Sequence, residues 1–553
     1  MISTLEFDLL PSYSPPMETE ASSVTCAPAP EPEKSPDKEA SDAVEYPTGA
    51  RFAFIILAIS LALFLVSLDS TIIAVAIPKI TDQFHSLDDV GWYGSAYLLG
   101  TAAFQLFFGR LYSFLSVKRV FLSSLCIFEI GSLVCAIAPS SNALIAGRAI
   151  AGLANAGVLT GIFVIIADSV PLERRPFHSG ALGATYGVAS VSGPLLGGVL
   201  TDKVSWRWCF YINLPLTAAV IACIAVLFKD PQVRCVESMS LARRVTKLDP
   251  WGTAVFMPAI TSLLLALQWG GSKYQWQNPR IIVLFILFAL LTVMFVVIQI
   301  WKQDEATVPP RIMKQRTILA AAAFIFCLGG SVFTTIYFLP LYFQAIKGVT
   351  AVRSGVDNIP FVVALSGGCL VTGALVSRLG YYNPPMLLSV LLTSVGGGLI
   401  STFDRDTPPA RWVSYQIVYG LGVGCGIQQG IMAAQAVLAI GDVPVGTTIM
   451  LFMQLLGGAI FVSAGQTVFQ NRLLIGLATH VPGVDPQLVF DAGATNLRSV
   501  VPMELLASVL EVYNDALRAV YYLIVALAGL SIFGALGCEW RSVKGKGVSH
   551  AAL

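Results

Sequence analysis

From Arg51 onward the chain alternates long apolar runs with short polar breaks. A helix needs about 20 apolar residues to cross the hydrocarbon of a bilayer. Fourteen runs reach that length: 53–77, 90–112, 119–138, 143–167, 179–201, 208–228, 251–269, 281–301, 318–343, 355–378, 385–403, 412–438, 447–469 and 519–540. The pattern predicts an all-α integral membrane protein. With both termini in the cytosol, the two most basic breaks, 229–247 and 302–316, fall on the cytosolic side, as the positive-inside rule requires. A long outer loop, 470–518, then separates the last two helices. Its apolar stretch 500–512 is expected to form a short amphipathic helix on the membrane surface.

Residues 1–50 break the pattern. They are rich in Pro, Glu and Ser and cannot bury enough apolar area to offset the entropy of ordering, so a disordered tail is expected. A basic start and apolar centre of a cleavable signal peptide are missing there, which leaves the first helix to act as the insertion signal.

Composition supports the membrane reading. Hydrophobic residues make up 55% of the chain and charged residues 12%, about half the charged share of a soluble protein. A net charge of +1 argues against a nucleic-acid partner, which calls for a basic surface. The ten cysteines fall mostly inside apolar runs and form no CxxC pair, and the four histidines are scattered. This predicts no metal site, no disulfide framework and no cofactor. With no P-loop and no HExxH motif, neither ATP-driven pumping nor a membrane enzyme is expected.

An internal repeat is visible. Gly109-Arg-Leu-Tyr-Ser-Phe-Leu follows the second run and Gly373-Ala-Leu-Val-Ser-Arg-Leu ends the tenth, with Gly, Leu, Ser and Leu at the same spacing. Arg148 and Gly152 in the fourth run parallel Gln416 and Gly420 in the twelfth. Duplicated halves around a central site are a common transporter plan. The expected organisation is a cytosolic tail (1–50), a six-helix bundle (51–229), a linker with two inserted helices (230–301), a second six-helix bundle (302–541) and a cytosolic tail (542–553).

Several segments resemble the major facilitator superfamily, and within it the fourteen-helix drug:proton antiporters common in fungi. LDSTIIAVAIP at 68–78 is similar to that group's first-helix signature. A carboxylate at bilayer depth is costly unless it is paired or faces a wet cavity. Asp69 is therefore either a proton carrier or a helix-end residue bonding nearby backbone. AGRAIAG at 146–152 resembles the fourth-helix motif whose Arg is linked to proton transfer, so Arg148 is either a coupling residue or a structural one. Glu129, near the middle of the third run, is a second proton-carrier candidate.

GRLYSFLSVKR at 109–119 resembles the family's gating loop, with Gly109 for close approach and Lys118 and Arg119 for charge. Ser113 stands where the family pattern has Asp, which weakens the charge relay implied for that loop. GVASVSGPLLGG at 187–198 is similar to the fifth-helix motif of exporters. Gly187, Gly193, Gly197 and Gly198 permit tight helix packing, and Pro194 removes a backbone hydrogen bond and bends the helix. The segment from Asp202 through Trp206, Arg207 and Trp208 to Asn213 resembles the outer entry to helix six, with interfacial anchoring as its expected role. Asp249-Pro-Trp-Gly252 and Gln268-Trp-Gly-Gly271 resemble the group's extra helix pair.

Gln105, Tyr337, Gln344, Gln428 and Gln454 are candidates to line an apolar cavity that suits amphiphilic organic molecules. The resemblance implies a proton-coupled exporter of drugs, toxins or secondary metabolites in the plasma membrane, working by alternating access. Its partners would be a small-molecule substrate, protons and lipid, with no requirement for a second subunit. An importer of a siderophore, amino acid or other nutrient is the alternative, followed by a carrier-shaped receptor; a vacuolar membrane is the alternative location.

Overall fold

The computed structural model describes residues 46–86, 89–230, 248–271, 273–484, 489, 497–498 and 500–544. The expected tail 1–50 lies outside these residues up to position 45, as do loop residues 231–247 and the C-terminal residues from 545. Every one of the fourteen apolar runs falls on a helix. In chain order these are α1 (Gly49–Phe84), α2 (Val90–Phe114), α3 (Val117–Ala136), α4 (Ser141–Ser169), α5 (Arg175–Lys203) and α6 (Trp208–Leu227). There follow α7 (Pro250–Trp269), α8 (Pro279–Lys302), α9 (Arg316–Leu341), α10 (Val352–Leu379), α11 (Asn383–Ile400), α12 (Pro409–Val437), α13 (Val443–His480) and α14 (Met503–Gly537). Twelve are long and apolar enough to span a membrane by composition alone. The other two, α2 and α5, are long enough but richer in Gly, Ser, Thr and Tyr, as befits helices turned toward protein.

Local chemistry sets the boundaries. Ser116 and Ser140 cap α3 and α4 by accepting from the N–H groups of Arg119 and Ala143. Asn278 caps α8 ahead of Pro279, a residue preorganised for a first helical position. Gly380, at φ 88°, ends α10 in the left-handed region, where a side chain would be strained.

Helices α1 to α6 pack on one another, and so do α9 to α14. The two groups meet along two seams, α5 against α10 and α2 against α13. The pair α7–α8 leans through α7 on α2 and α13. Helix α8 is almost wholly unburied along its apolar length, so it presents lipid-facing surface rather than core.

The structure corrects the expected outer loop. Helix α13 continues to His480 and α14 begins at Met503, so the stretch 500–512 is mostly the first part of α14 rather than a surface helix. Its apolar face has a protein partner. Val509, Leu510 and Tyr513 are buried, the Tyr513 ring lies 5.0 Å from that of Phe469 on α13, and Val512 packs over Gly476. Burial against the extended α13 replaces burial in the lipid interface.

Candidate functional site

Asp69 and Arg148 come together from α1 and α4 in the interior of the first group of helices. Arg148 Nη1 donates to Asp69 Oδ2 at 2.5 Å, and the two side chains are 0% and 1% exposed for Asp69 and Arg148. Arg148 Nε also donates to the Tyr93 carbonyl at 2.9 Å, and Nη1 lies 3.3 Å from the Asp69 carbonyl. Asn213 Nδ2 on α6 donates to Asp69 Oδ1 at 3.1 Å and lies 3.4 Å from Ser132 Oγ on α3. Helices α4 and α6 thus meet on the carboxylate of α1, and α2 and α3 join the network through the Tyr93 carbonyl and Ser132. An isolated charge here would cost several kcal/mol; the pair compensates that cost and makes it conditional on the proton state of Asp69.

The opposite face of the guanidinium lies over the Tyr97 ring, 4.4 Å from its centroid. Tyr97 in turn donates its hydroxyl to the Val66 carbonyl at 3.0 Å and lines a cavity between the two groups of helices. Ser67 and Ser70, on either side of Asp69, line the same cavity. A change at the ion pair therefore reaches the cavity wall through Tyr97 and through α1 itself. The cavity has a volume of about 140 Å³ and is bounded by α1, α2, α4 and α5 on one side and α9, α10, α12 and α13 on the other.

Of the residues proposed from sequence to face a cavity, Gln428 and Gln454 line this one. Gln105, Tyr337 and Gln344 do not. Gln105 is fully buried and donates to Thr160 Oγ1 at 2.9 Å. Tyr337 on α9 is half exposed but is not part of this cavity's wall, and Gln344 sits in the Tyr342–Ile346 turn that follows α9. Glu129 is half-buried three residues before Ser132, on the same face of α3, and its Oε1 has no hydrogen-bond partner among the described residues. It stands beside the Asp69 network without joining it.

The gating-loop residues divide. Gly109 faces α13 so closely that a Cβ there would lie 2.1 Å from Thr448 Oγ1. Among the described residues Ser113 returns a hydrogen bond to the Gly109 carbonyl of its own helix. Lys118 is tied by Nζ to the Ala225 carbonyl and by its backbone N–H to Asp230, which also accepts from Ser116 Oγ. Arg119 gives its backbone N–H to the Ser116 cap. The charged link from this end of α2 comes from Arg110, unremarked in the sequence: 4% exposed, it donates to the Asp304 carbonyl at 2.7 Å. Asp304 accepts from Arg311 Nε, and Arg311 makes two 2.7 Å bonds to Asp442 at the start of α13.

The glycine-rich motif on α5 serves two contacts. Gly193 and Gly197 meet α1 at Thr71 and Ile72, directly after Asp69. A Cβ on Gly193 would lie 2.1 Å from Thr71 Oγ1, and one on Gly197 would lie 2.7 Å from the Ile72 carbonyl oxygen. Gly187 meets Ser366 on α10 across the seam between the halves. Gly198 has ordinary contact at 3.8 Å. Helix α5 runs without a break through Pro194.

Sequence reasoning assigned Asn213 to an anchoring motif and passed over Tyr97 and Asn155. A buried Asn at the entry of an apolar run was the available signal for Asn213. Among the described residues, no group of three His, Cys, Asp or Glu side chains is placed to hold a metal.

The sequence pattern of the Major Facilitator Superfamily matches residues 59–304. The chain is 52% identical to the MFS-type efflux pump MFS1 of Arthroderma benhamiae, over 92% of this chain and 95% of that one. It is 47% identical to the efflux pump aflT of Aspergillus parasiticus, over 92% and 99%. With the rubrofusarin-specific efflux pump aurT of Gibberella zeae it shares 46% identity, over 92% and 93%. In fold it is similar to the human organic anion transporter MFSD10 (TETRAN), with a TM-score of 0.54 at 14% identity, covering 86% of this chain and all of that one. The chain belongs to the major facilitator superfamily. It is a multi-pass membrane transporter.

Proposed function

We propose that this protein exports small organic molecules in exchange for protons, by alternating access to the cavity between two six-helix halves, 51–229 and 302–541, joined by an inserted pair within 230–301. The buried Asp69–Arg148 pair beside that cavity carries the proposal. In the ionised state the pair holds α1 to α4 while Asn213 holds α1 to α6. A proton on Asp69 removes the negative charge, leaves Arg148 on the Tyr93 and Asp69 carbonyls, and frees Tyr97 and the Ser67–Ser70 turn to shift. Coupling follows if substrate and proton favour opposite positions of that wall. Arg148 is then a positioning partner of the proton carrier, and Glu129 is a second acid on the path.

Export as the direction rests on the names of the relatives. The cytosolic placement of both termini rests on the distribution of Lys and Arg, and the plasma membrane is the default site for an exporter, a vacuolar membrane requiring the same topology. The test uses the full chain in sealed vesicles with an imposed pH gradient. Asp69→Asn is expected to abolish gradient-driven substrate movement while leaving binding. Gradient-driven transport that survives in folded Asp69→Asn protein removes Asp69 from the role. Comparing small molecules in cells and medium, with and without the gene, checks direction. Export predicts that the substrate accumulates inside when the gene is deleted; depletion inside would point to import.

A further inference from the structure

The cavity wall contains no charged side chain among the described residues. The nearest charges, Asp69 and Arg148, neutralise each other behind Tyr97. A charged group entering this space would find nothing to compensate its lost hydration.

The polar groups of the wall are also unevenly committed. Tyr97, Ser70 and Thr101 donate their hydroxyl protons inward, to backbone carbonyls of Val66, Ser67 and Tyr97 or Gly152. Asn155 is 6% exposed and its Nδ2 lies 3.2 Å from Thr101 Oγ1. Since Thr101 has already given its only proton to a carbonyl, it can only accept from Asn155. The amide must therefore turn its NH2 to Thr101 and keep its oxygen for something else. That oxygen has no partner among the described residues, and neither have Gln428 Oε1 and Ser67 Oγ. Buried polar atoms left unsatisfied are costly, and these three belong to side chains that line one cavity. The remaining wall is mostly Leu, Ile, Val and Phe, and its volume of about 140 Å³ compares with the roughly 150 Å³ that accommodates a benzene ring.

Resting on the export reading above, we propose that the cavity selects uncharged, ring-bearing molecules that donate a hydrogen bond, such as a phenol or a lactam N–H, to Asn155 Oδ1, with Gln428 as the second polar contact. A ring fits between the apolar side chains, the donor satisfies the orphaned oxygen, and a larger molecule requires the two halves to part.

The test measures binding of three one-ring probes to the purified full-length protein by equilibrium dialysis: phenol, its methyl ether and the phenyltrimethylammonium ion. Phenol is expected to bind roughly tenfold more tightly than the ether, and the cation not measurably. Asn155→Leu, similar in size but without the acceptor, should bring phenol down to the level of the ether. Gln428→Leu, at a half-buried position, should weaken phenol less and serves where Asn155→Leu does not yield folded protein. Equal binding of phenol and ether, preference for the cation, or no binding of any probe overturns the inference. Vesicle uptake under a pH gradient separates the two readings. Gradient-driven uptake that ignores the hydroxyl sinks this selectivity and leaves export standing. Hydroxyl-dependent binding without gradient-driven uptake does the reverse.

Discussion

Arg148 and Gln416 occupy matching places in the two halves of the chain. Arg148 Nε donates to the carbonyl of Tyr93 on α2, and Gln416 Nε2 donates to the carbonyl of Asp357 on α10. One turn further along each helix a glycine packs on the carbonyl one turn further along the partner: Gly152 on Tyr97, Gly420 on Phe361. The same register carries Gly109 onto Gly373, and these glycines serve the two seams between halves, against α13 and α5 respectively. The shared task is to pin two helices together; only Arg148 adds a charge and a carboxylate partner.

That difference separates structure from coupling. Arg148→Gln should keep the α2–α4 contact, because a glutamine reaches the equivalent carbonyl in the second half. It leaves Asp69 buried without its cation, at a cost of about 3–5 kcal/mol. Adding Asp69→Asn should recover most of that loss. Thermal unfolding in detergent reads the stability, and substrate-induced proton movement reads the coupling, which both variants should lack. Equal stability of single and double variants would show that the pair is not compensating burial.

The α1–α5 contact supplies a second prediction. Gly193→Ala places a methyl group against Thr71, a β-branched residue with little freedom to turn, and should destabilise by about 1–3 kcal/mol. Gly198→Ala meets only Val75 at 3.8 Å and should be near neutral. Since Thr71 lies next to the Asp69 turn, Gly193→Ala should also slow transport more than its stability loss explains. Paired unfolding and transport measurements check both parts.

Asp249 anchors the α7–α8 pair. Fully buried at the start of α7, it accepts from Gly252 N–H, Gln299 Nε2 and both the N–H and Oγ1 of Thr307, and pairs with Lys302 at 3.2 Å. Burial raises its pKa, but the bonds from Gln299, Gly252 and Thr307 outweigh burial and hold it below the usual carboxylate value. A lowered folded pKa contributes stability that is present above the unfolded value, about 3.9, and is lost as pH falls through the folded one. The contribution should therefore be constant from mildly acidic to neutral pH and disappear only in strong acid. Asp249→Asn should cost about 1–3 kcal/mol and remove that acid-range dependence, as pH-resolved unfolding would show.

Arg311 joins the segment after α8 to the start of α13 through Asp442, and meets Asp304, whose carbonyl holds Arg110 of α2. Arg110 lies on α2 in the first half and Asp304, Arg311 and Asp442 all lie in the second, so the bond that must break or stretch when the α2–α13 seam opens is Arg110 to the Asp304 carbonyl, and Arg311 acts by holding Asp304 in place for it. Arg311 is half exposed, which limits the pair to about 1 kcal/mol and makes it sensitive to salt. Arg311→Ala should change the transport rate by roughly fivefold at low ionic strength and less at high. Exchanging the charges, Arg311→Asp with Asp442→Arg, should restore part of the original rate.

Membrane class, the fourteen helical segments and the family were legible along the chain. They depend on quantities summed over sequence, apolar length and the spacing of Gly and Pro, which survive without knowledge of neighbours. Asp69 and Arg148 also stood out, because a charge inside an apolar run is conspicuous wherever the helix points. That the two face each other is a tertiary fact, since it depends on how α1 and α4 are rotated and displaced. The same rotation put Gln428 and Gln454 on the cavity wall and Gln105 behind it, though all three read alike as amides in apolar runs. Asn155, Tyr97 and Arg110 acquired their places in the same way. Asn155 matters through an oxygen that Thr101 leaves unused, and no pattern along one helix records which atoms of another are already occupied.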